Sequence, residues 1–390
     1  MKSTPMLIDV TRLVDRQMQG RLPTGVDRVC LEYVRRFGER SRALIRWRGR
    51  WLVLPRQDSA RLFRELGKPA AGFSRRVIGL AARSIPSSLR GVPRGAVLLN
   101  LGHSGLDQTG YAATIQRYGL RPLFFLHDLI PLTHPEYARP GEPERHALRV
   151  ETMLKHGRGI LVNSRDTLDA LQRFASDRDI SLPPCRVASL APGRLPAPAP
   201  SSPIEQAYFV MLGTIEPRKN HLLLLHLWRE LVRSHGEGAP VLILIGQRGW
   251  ECEQVVDLLE RCAALQGKVV EIPSADDHAL ATWLHHARAL LFPSFVEGYG
   301  LPVVEALSLG TPVIASDLPV FREMAGEIPN YLDPLDGLGW KHLILDYAQP
   351  FSDKRAAQLE RLKGWQPPTW EGHFHTVETF LAEIGLETSR

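Results

Sequence analysis

Short, largely apolar runs recur along this chain at intervals too long for hairpins. In the first half they fall at residues 7–10, 97–101, 122–126 and 159–162; in the second, at 208–212, 241–245, 269–272, 290–292 and 313–315. Apolar residues run through them without regular polar alternation, so each predicts a strand covered on both faces. The segments between them are of helix length, which predicts parallel strands joined by helical crossovers. A chain of 390 residues exceeds one ordinary core. The expectation is an α/β protein of two consecutive doubly wound, Rossmann-like domains, with ligand in the cleft at the carboxyl ends of the strands. No internal repeat is visible.

Charge divides the chain where the apolar pattern pauses. The net charge of +6 conceals 33 Lys and Arg against 17 Asp and Glu in residues 1–200, a net +16, and 15 against 25 in residues 201–390, a net −10. Residues 191–203, Ala-Pro-Gly-Arg-Leu-Pro-Ala-Pro-Ala-Pro-Ser-Ser-Pro, read as a linker. The domains are therefore expected at 1–200 and 201–368, followed by a helical tail at 369–390. The basic half is almost entirely arginine, suited to phosphate. No zinc-finger or RNA-recognition pattern accompanies it, so nucleic acid is not an expected partner. An anionic membrane surface or a lipid diphosphate fits better. Residues 73–95 mix arginine with aliphatic residues and lack acids; an interfacial amphipathic element, a basic helix packed on the domain and a mobile loop all suit that composition. Apolar content of 44% and charged content of 23% are ordinary for a globular protein. The four cysteines, Cys30, Cys185, Cys252 and Cys262, lack ligand spacing and read as reduced thiols. With no leader or spanning run visible, a cytoplasmic location is expected, peripheral at the inner membrane if the basic half binds it.

Two strings carry the chemistry. Phe292-Pro-Ser-Phe-Val-Glu-Gly-Tyr-Gly-Leu-Pro-Val-Val-Glu-Ala-Leu307 reads as a strand end, a glycine-rich turn and a helix opening near Pro302. Such a turn gathers unpaired N–H groups for an anion. Gly298 and Gly300 allow close backbone approach, and Glu297 and Glu305 flank the spot as acceptors for hydroxyl groups. Taken singly, each glutamate suits a solvated loop or a helix dipole just as well. Leu212-Gly-Thr-Ile-Glu-Pro-Arg-Lys-Asn-His221 places Gly213 at a strand end, with Arg218 and Lys219 after it. Fixed cations there would stabilise negative charge on a leaving diphosphate. In the first half, His127 and Asp128 follow a strand directly.

The first string resembles the E-x7-E signature of the retaining, GT-B-fold glycosyltransferases of family 4, and Gly310-Thr-Pro-Val-Ile-Ala-Ser-Asp317 with Glu323 matches the same family. The resemblance implies a GT-B architecture with two domains facing a central cleft, and a C-terminal helix crossing back to the first domain. It implies a donor site of Gly25, Gly213, Arg218, Lys219, Glu297, Gly298, Tyr299, Gly300, Leu301 and Glu305, in which Glu297 holds the donor sugar and Glu305 the nucleotide ribose. Phe124-Phe-Leu-His-Asp-Leu-Ile-Pro-Leu132 resembles the HD-x-x-P segment of bacterial mannosyltransferases of that family; His127 would lie against the reacting sugar, with Asp128 either a base for the acceptor or an orienting partner. Thr24, Asp27, Arg28, Asn163 and Arg165 fall at acceptor-side positions. The segment Pro23-Thr-Gly-Val-Asp-Arg-Val29 departs from the family's common double-glycine loop. No DxD pair stands at a plausible metal position, so no metal and no cofactor are expected. The implied activity is transfer of a hexose, preferably mannose from GDP-mannose, to a lipid-linked or growing glycan of a bacterial surface polysaccharide. A UDP- or dTDP-sugar donor, a sugar-nucleotide epimerase and a non-catalytic scaffold are the alternatives.

Overall fold

Two parallel sheets gather the apolar runs. The computed structural model describes residues 5–21, 23–47, 49–67, 72–88 and 92–386. The first sheet contains β1 (Met6–Asp9), β2 (Ser41–Trp47), β3 (Arg50–Val53), β4 (Val97–Asn100), β5 (Arg121–Leu126), β6 (Gly159–Val162) and β7 (Cys185–Val187), in the order β3-β2-β1-β4-β5-β6-β7. Among the described residues, only β3 runs antiparallel in this sheet, forming a hairpin with β2. The second sheet contains β8 (Tyr208–Leu212), β9 (Val241–Ile245), β10 (Val269–Ile272), β11 (Leu290–Phe292), β12 (Val313–Ser316) and β13 (Asn330–Leu332), all parallel, in the order β10-β9-β8-β11-β12-β13. That is the order of a doubly wound nucleotide-binding sheet, and its direction reverses between β8 and β11. The central strands of both sheets are buried along their length, as continuous apolar sequence requires.

The hairpin escapes an apolar-run reading because Arg42, Arg46 and Arg50 interrupt it. Two of these cations are satisfied locally: Arg42 Nε donates to the Leu54 carbonyl at 2.8 Å, and Arg46 Nε to Asp9 Oδ2 at 3.0 Å. The polar segment after β1 is a helix, Thr11–Met18, which buries Leu13 and Val14. The basic stretch 73–95 enters the structure as the helix Phe73–Ser88; residues 89–91 lie outside the described residues. β7 and β13 are three-residue strands at the sheet edges, too short to stand out in the sequence.

The chain forms two compact units, Met1–Leu190 with Trp370–Arg390, and Ala191–Thr369. In the second unit the proline-rich stretch is laid down by Ala199 N–H donating to Thr282 Oγ1 at 3.0 Å and by the His286 ring against the Ala199 carbonyl at 2.8 Å. In the first unit, the helix Trp370–Glu383 packs Phe374 edge-on against Tyr33 and Phe37. His373 bridges the Tyr33 hydroxyl and the Ser189 carbonyl, each at 3.0 Å, and Glu378 takes Arg36 and Arg40, each at 2.7 Å. Gly159 of β6 carries no side chain because Ile384 and Phe380 press on it: a Cβ there would sit 2.8 and 2.9 Å from their carbons.

Candidate active site

At the reversal point of the second sheet, two loops interlock. The backbone leaves β8 at Gly213 with φ +145°, and a Cβ added there would meet Lys219 Cε at 3.4 Å. A Cβ on Gly246, after β9, would lie 1.9 Å from the Gly213 carbonyl oxygen, so only glycine lets the two loops close. One 3-10 turn, Pro217–Lys219, follows; Asn220 then turns left-handed at φ +61° and the helix His221–His235 begins. Phe295 N–H, from the loop after β11, donates to the Arg218 carbonyl at 2.8 Å and ties the loops together.

This framework aligns four charges in alternation. Glu216 Oε1 holds Arg218 Nε at 2.6 Å, Arg218 Nη1 reaches Glu297 Oε2 at 2.7 Å, and Glu297 Oε1 meets Lys219 Nζ at 2.5 Å. Arg218 Nη1 also donates to the Val296 carbonyl at 3.1 Å, and the Lys219 ammonium lies 4.6 Å from the centre of the Phe292 ring. Glu216, Lys219 and Glu297 are buried, which lowers the local dielectric and strengthens each pairing. Burial alone would raise the Glu297 carboxyl, but Arg218 and Lys219 outweigh it and hold it down at about 2. For Glu216 the balance tips the other way: burial raises its carboxyl against the pull of Arg218 and Lys219. His221 is pressed down to about 3 by burial and then by Lys219, so its ring is neutral; its Nδ1 is buried without a partner among the described residues.

The glycine-rich turn completes this group. Gly298 is half-buried and Tyr299 buried. Gly300 sits at φ +98°, where a Cβ would approach Phe321 Cε1 to 2.6 Å. Leu301 opens the helix Leu301–Ser308. Glu305, on that helix, is buried, and its Oε1 accepts the Gly193 N–H at 3.3 Å. The structure thus brings Gly213, Arg218, Lys219 and Glu297 into one cluster, with Gly298–Leu301 following directly. Glu216, which sequence reading passed over as part of the string, is the acid that fixes Arg218; a glutamate two residues before the arginine was the available signal.

The first unit carries a separate group at the end of β5. His127 is buried, its Nε2 lies 2.7 Å from the Leu101 carbonyl, and Asn163 Nδ2 donates to the His127 carbonyl at 2.8 Å. Nε2 facing a carbonyl places the ring proton there and leaves Nδ1 as an acceptor. Burial pushes His127 down to about 4, so the imidazole is neutral near pH 7. The His103 ring packs between His127 and His146, at centroid distances of 5.3 and 5.7 Å, and burial lowers both of these rings as well. Asp128 Oδ1 accepts the Ile130 N–H at 3.1 Å and shapes the turn.

Thr24 and Asp27 serve the fold. They form the capping box of the helix Gly25–Phe37, with Thr24 N–H donating to Asp27 Oδ2 at 2.8 Å. Asp27 also takes Arg12 and Arg16, at 2.9 and 2.8 Å. Gly25 is the first residue of that helix, with Arg28 half-buried one turn on. Arg165 is exposed at the start of the helix Arg165–Asp177, whose cap is Ser164. Among the described residues, no cluster of three or more His, Cys, Asp or Glu has a metal-holding arrangement.

A family model described as "Glycosyl transferases group 1" matches residues 198–329. O-antigen chain mannosyltransferase B of Escherichia coli is 30% identical over 262 residues, covering 64% of this chain and 67% of that one. Serotype-specific mannosyltransferase WbdA of the same species is 29% identical over 226 residues, covering 52% of this chain; the match spans only 27% of WbdA's length. Among solved structures, Anabaena Alr3699/HepE in complex with UDP superposes with a TM-score of 0.64 at 12% identity, over 97% of this chain and all of that one. At that identity the likeness speaks for the fold, two Rossmann-like units of the GT-B class.

Proposed function

The chain belongs to the group 1 glycosyl transferases, and from that membership we propose that it transfers a hexose from a nucleotide-diphosphate sugar to a growing or lipid-linked glycan. The observation that carries this reading is the shared carboxylate: Arg218 and Lys219, fixed at the reversal point of the second sheet, both hold Glu297. Cleaving the sugar–phosphate bond puts negative charge on the departing diphosphate. Two cations already positioned and partly desolvated favour that charge more than the uncleaved ester. A diphosphate occupying them would replace Glu297 as their partner, and the freed carboxylate would then accept hydrogen bonds from sugar hydroxyls. Glu305 is assigned to the ribose. Anomeric configuration is retained through a dissociative, same-face transfer.

The first unit is assigned the acceptor and the second unit the donor. His127 contributes a neutral ring with a free acceptor nitrogen for a sugar hydroxyl, and Asp128 an orienting or basic carboxylate. Thr24, Asp27, Arg28, Asn163 and Arg165 are placed on the acceptor side, where Thr24 and Asp27 act by fixing a helix start. The names of the two curated relatives favour mannose, so GDP-mannose is the proposed donor and a bacterial surface polysaccharide such as O-antigen the product. Among the described residues no helix is long and apolar enough to cross a membrane. Contact with a lipid-linked acceptor is therefore proposed to be peripheral, at the cytoplasmic face of the inner membrane.

The test is thermal unfolding with GDP, UDP and dTDP, on the parent chain and on Lys219→Ala. Selective stabilisation by GDP that vanishes in the variant is the expected result. Stabilisation by UDP or dTDP alone would overturn the donor but keep the transferase. No response to any nucleotide at millimolar concentration would overturn the transferase itself.

A further inference from the structure

In the first unit, the helices Arg56–Gly67 and Phe73–Ser88 border an open groove of about 700 Å³. Its walls carry Arg61, Arg64, Arg75, Arg76 and Arg83, with Glu65 the one acid among the described residues that line it. Glu65 is already engaged, accepting Arg76 Nε at 2.8 Å. All five arginines are exposed at its rim; Arg76 is held by Glu65, and Arg64 Nε donates to the Ala60 carbonyl at 3.3 Å. Like charges so gathered repel, and a concave surface of low polarisability concentrates their field on whatever enters.

Gly79 adds a second, independent observation. It lies inside the helix Phe73–Ser88, where glycine costs roughly 1 kcal/mol relative to alanine, and it lines the groove. Its backbone does not need glycine: φ is not positive, and a Cβ would meet nothing within 4 Å. The missing side chain therefore leaves space open rather than relieving a clash. Phe73, Val77 and Ala81 of this helix are buried, as is Leu80, which lines the groove, so the helix is held in place and the arginines project from a fixed frame.

From the arginine walls and the open floor at Gly79 we infer that this groove is a binding site for a phosphate-rich anion, a dianionic phosphate or diphosphate group, distinct from the Arg218–Lys219 pair. Guanidinium forks match phosphate oxygens two by two, and the volume exceeds a single phosphate, leaving room for part of the group that bears it. The inference does not depend on sugar transfer.

The probe is inorganic pyrophosphate, titrated calorimetrically into the full chain carrying Lys219→Ala, which removes one of the two second-unit cations. Binding is expected, with affinity at least tenfold weaker once Arg75→Ala and Arg83→Ala are added. Adding Gly79→Phe to the Lys219→Ala chain instead keeps all five arginines but fills the floor, and it should abolish binding. Survival of binding in the Gly79→Phe chain would reduce the feature to diffuse charge and overturn the site, as would no binding in the Lys219→Ala chain or equal binding after removal of Arg75 and Arg83. Circular dichroism melts check that each variant is folded. Sedimentation with vesicles of phosphatidylglycerol and phosphatidylethanolamine, against phosphatidylcholine alone, identifies the source of the phosphate. Anionic-vesicle binding lost with Arg75 and Arg83 supports the site with a lipid headgroup as its ligand; pyrophosphate binding without vesicle binding supports it with a soluble or glycan-linked phosphate.

Discussion

Glu297 neutralises two cations while no anionic ligand is bound, and this makes it both a stabilising and a competing group. Its carboxyl, at about 2 in the folded chain against an ordinary 4.5, favours folding wherever it is ionised and the unfolded carboxyl is not advantaged. That contribution is complete above about pH 4.5 and drains away as pH falls toward about 2. Glu297→Gln should therefore lower stability by about 3 kcal/mol near neutral pH, the cost of stranding a buried partner. The gap to the parent chain should narrow in urea titrations run at pH 3. In the same variant, nucleotide diphosphate should stabilise the fold at least as strongly as in the parent, because a competitor for Arg218 and Lys219 is gone, while transfer falls by two orders of magnitude or more. Arg218, Lys219 and Glu297 stood out in the sequence as charged residues just after strand ends, and the structure joins them in one cluster. Glu216 was not singled out, since a carboxylate whose task is to hold an arginine looks like any loop acid until the distance of 2.6 Å is seen.

At the scale of elements, loops are fixed by residues that have no side chain. Gly300 joins a left-handed φ of +98° to a space that Phe321 closes, whereas Gly310 has φ +80° with nothing within 4 Å of its would-be Cβ. Gly300→Ala should therefore cost about 2 kcal/mol, and Gly310→Ala about 1, for backbone conformation alone. Paired thermal melts of the two variants measure the difference. Gly300→Ala should also weaken nucleotide binding, because it displaces the turn that leads into Glu305. The strands that sequence reading located are those with mainly apolar runs, such as β6, β8 and β9. It passed over β2 and β3, where Arg42 is satisfied by the Val53 and Leu54 carbonyls and Arg46 by Asp9 of β1, and the short edges β7 and β13. Apolar runs mark the inner strands of each sheet; of the edge strands β3, β7, β10 and β13, only β10 was located from its sequence.

At the scale of the molecule, the first unit is built from two separated stretches of chain. The helix Trp370–Glu383 supplies Phe374, Val377, Phe380 and Leu381 to its core and Glu378 to Arg36 and Arg40. Phe374→Ala should destabilise this unit by about 3 kcal/mol or more, through lost burial and the cavity left behind. Limited proteolysis should then cut residues 1–190 sooner, with the second unit keeping the parent's resistance. The same arrangement sets an order of events during synthesis. As the chain leaves the ribosome, residues 1–190 emerge first but wait for the helix that begins at Trp370, whereas Ala191–Thr369 has everything it needs once Thr369 is free. The half made first is thus the half finished last, and over that interval its unfilled aromatic surface around Tyr33 and Phe37 is the part of the nascent protein that a chaperone would find.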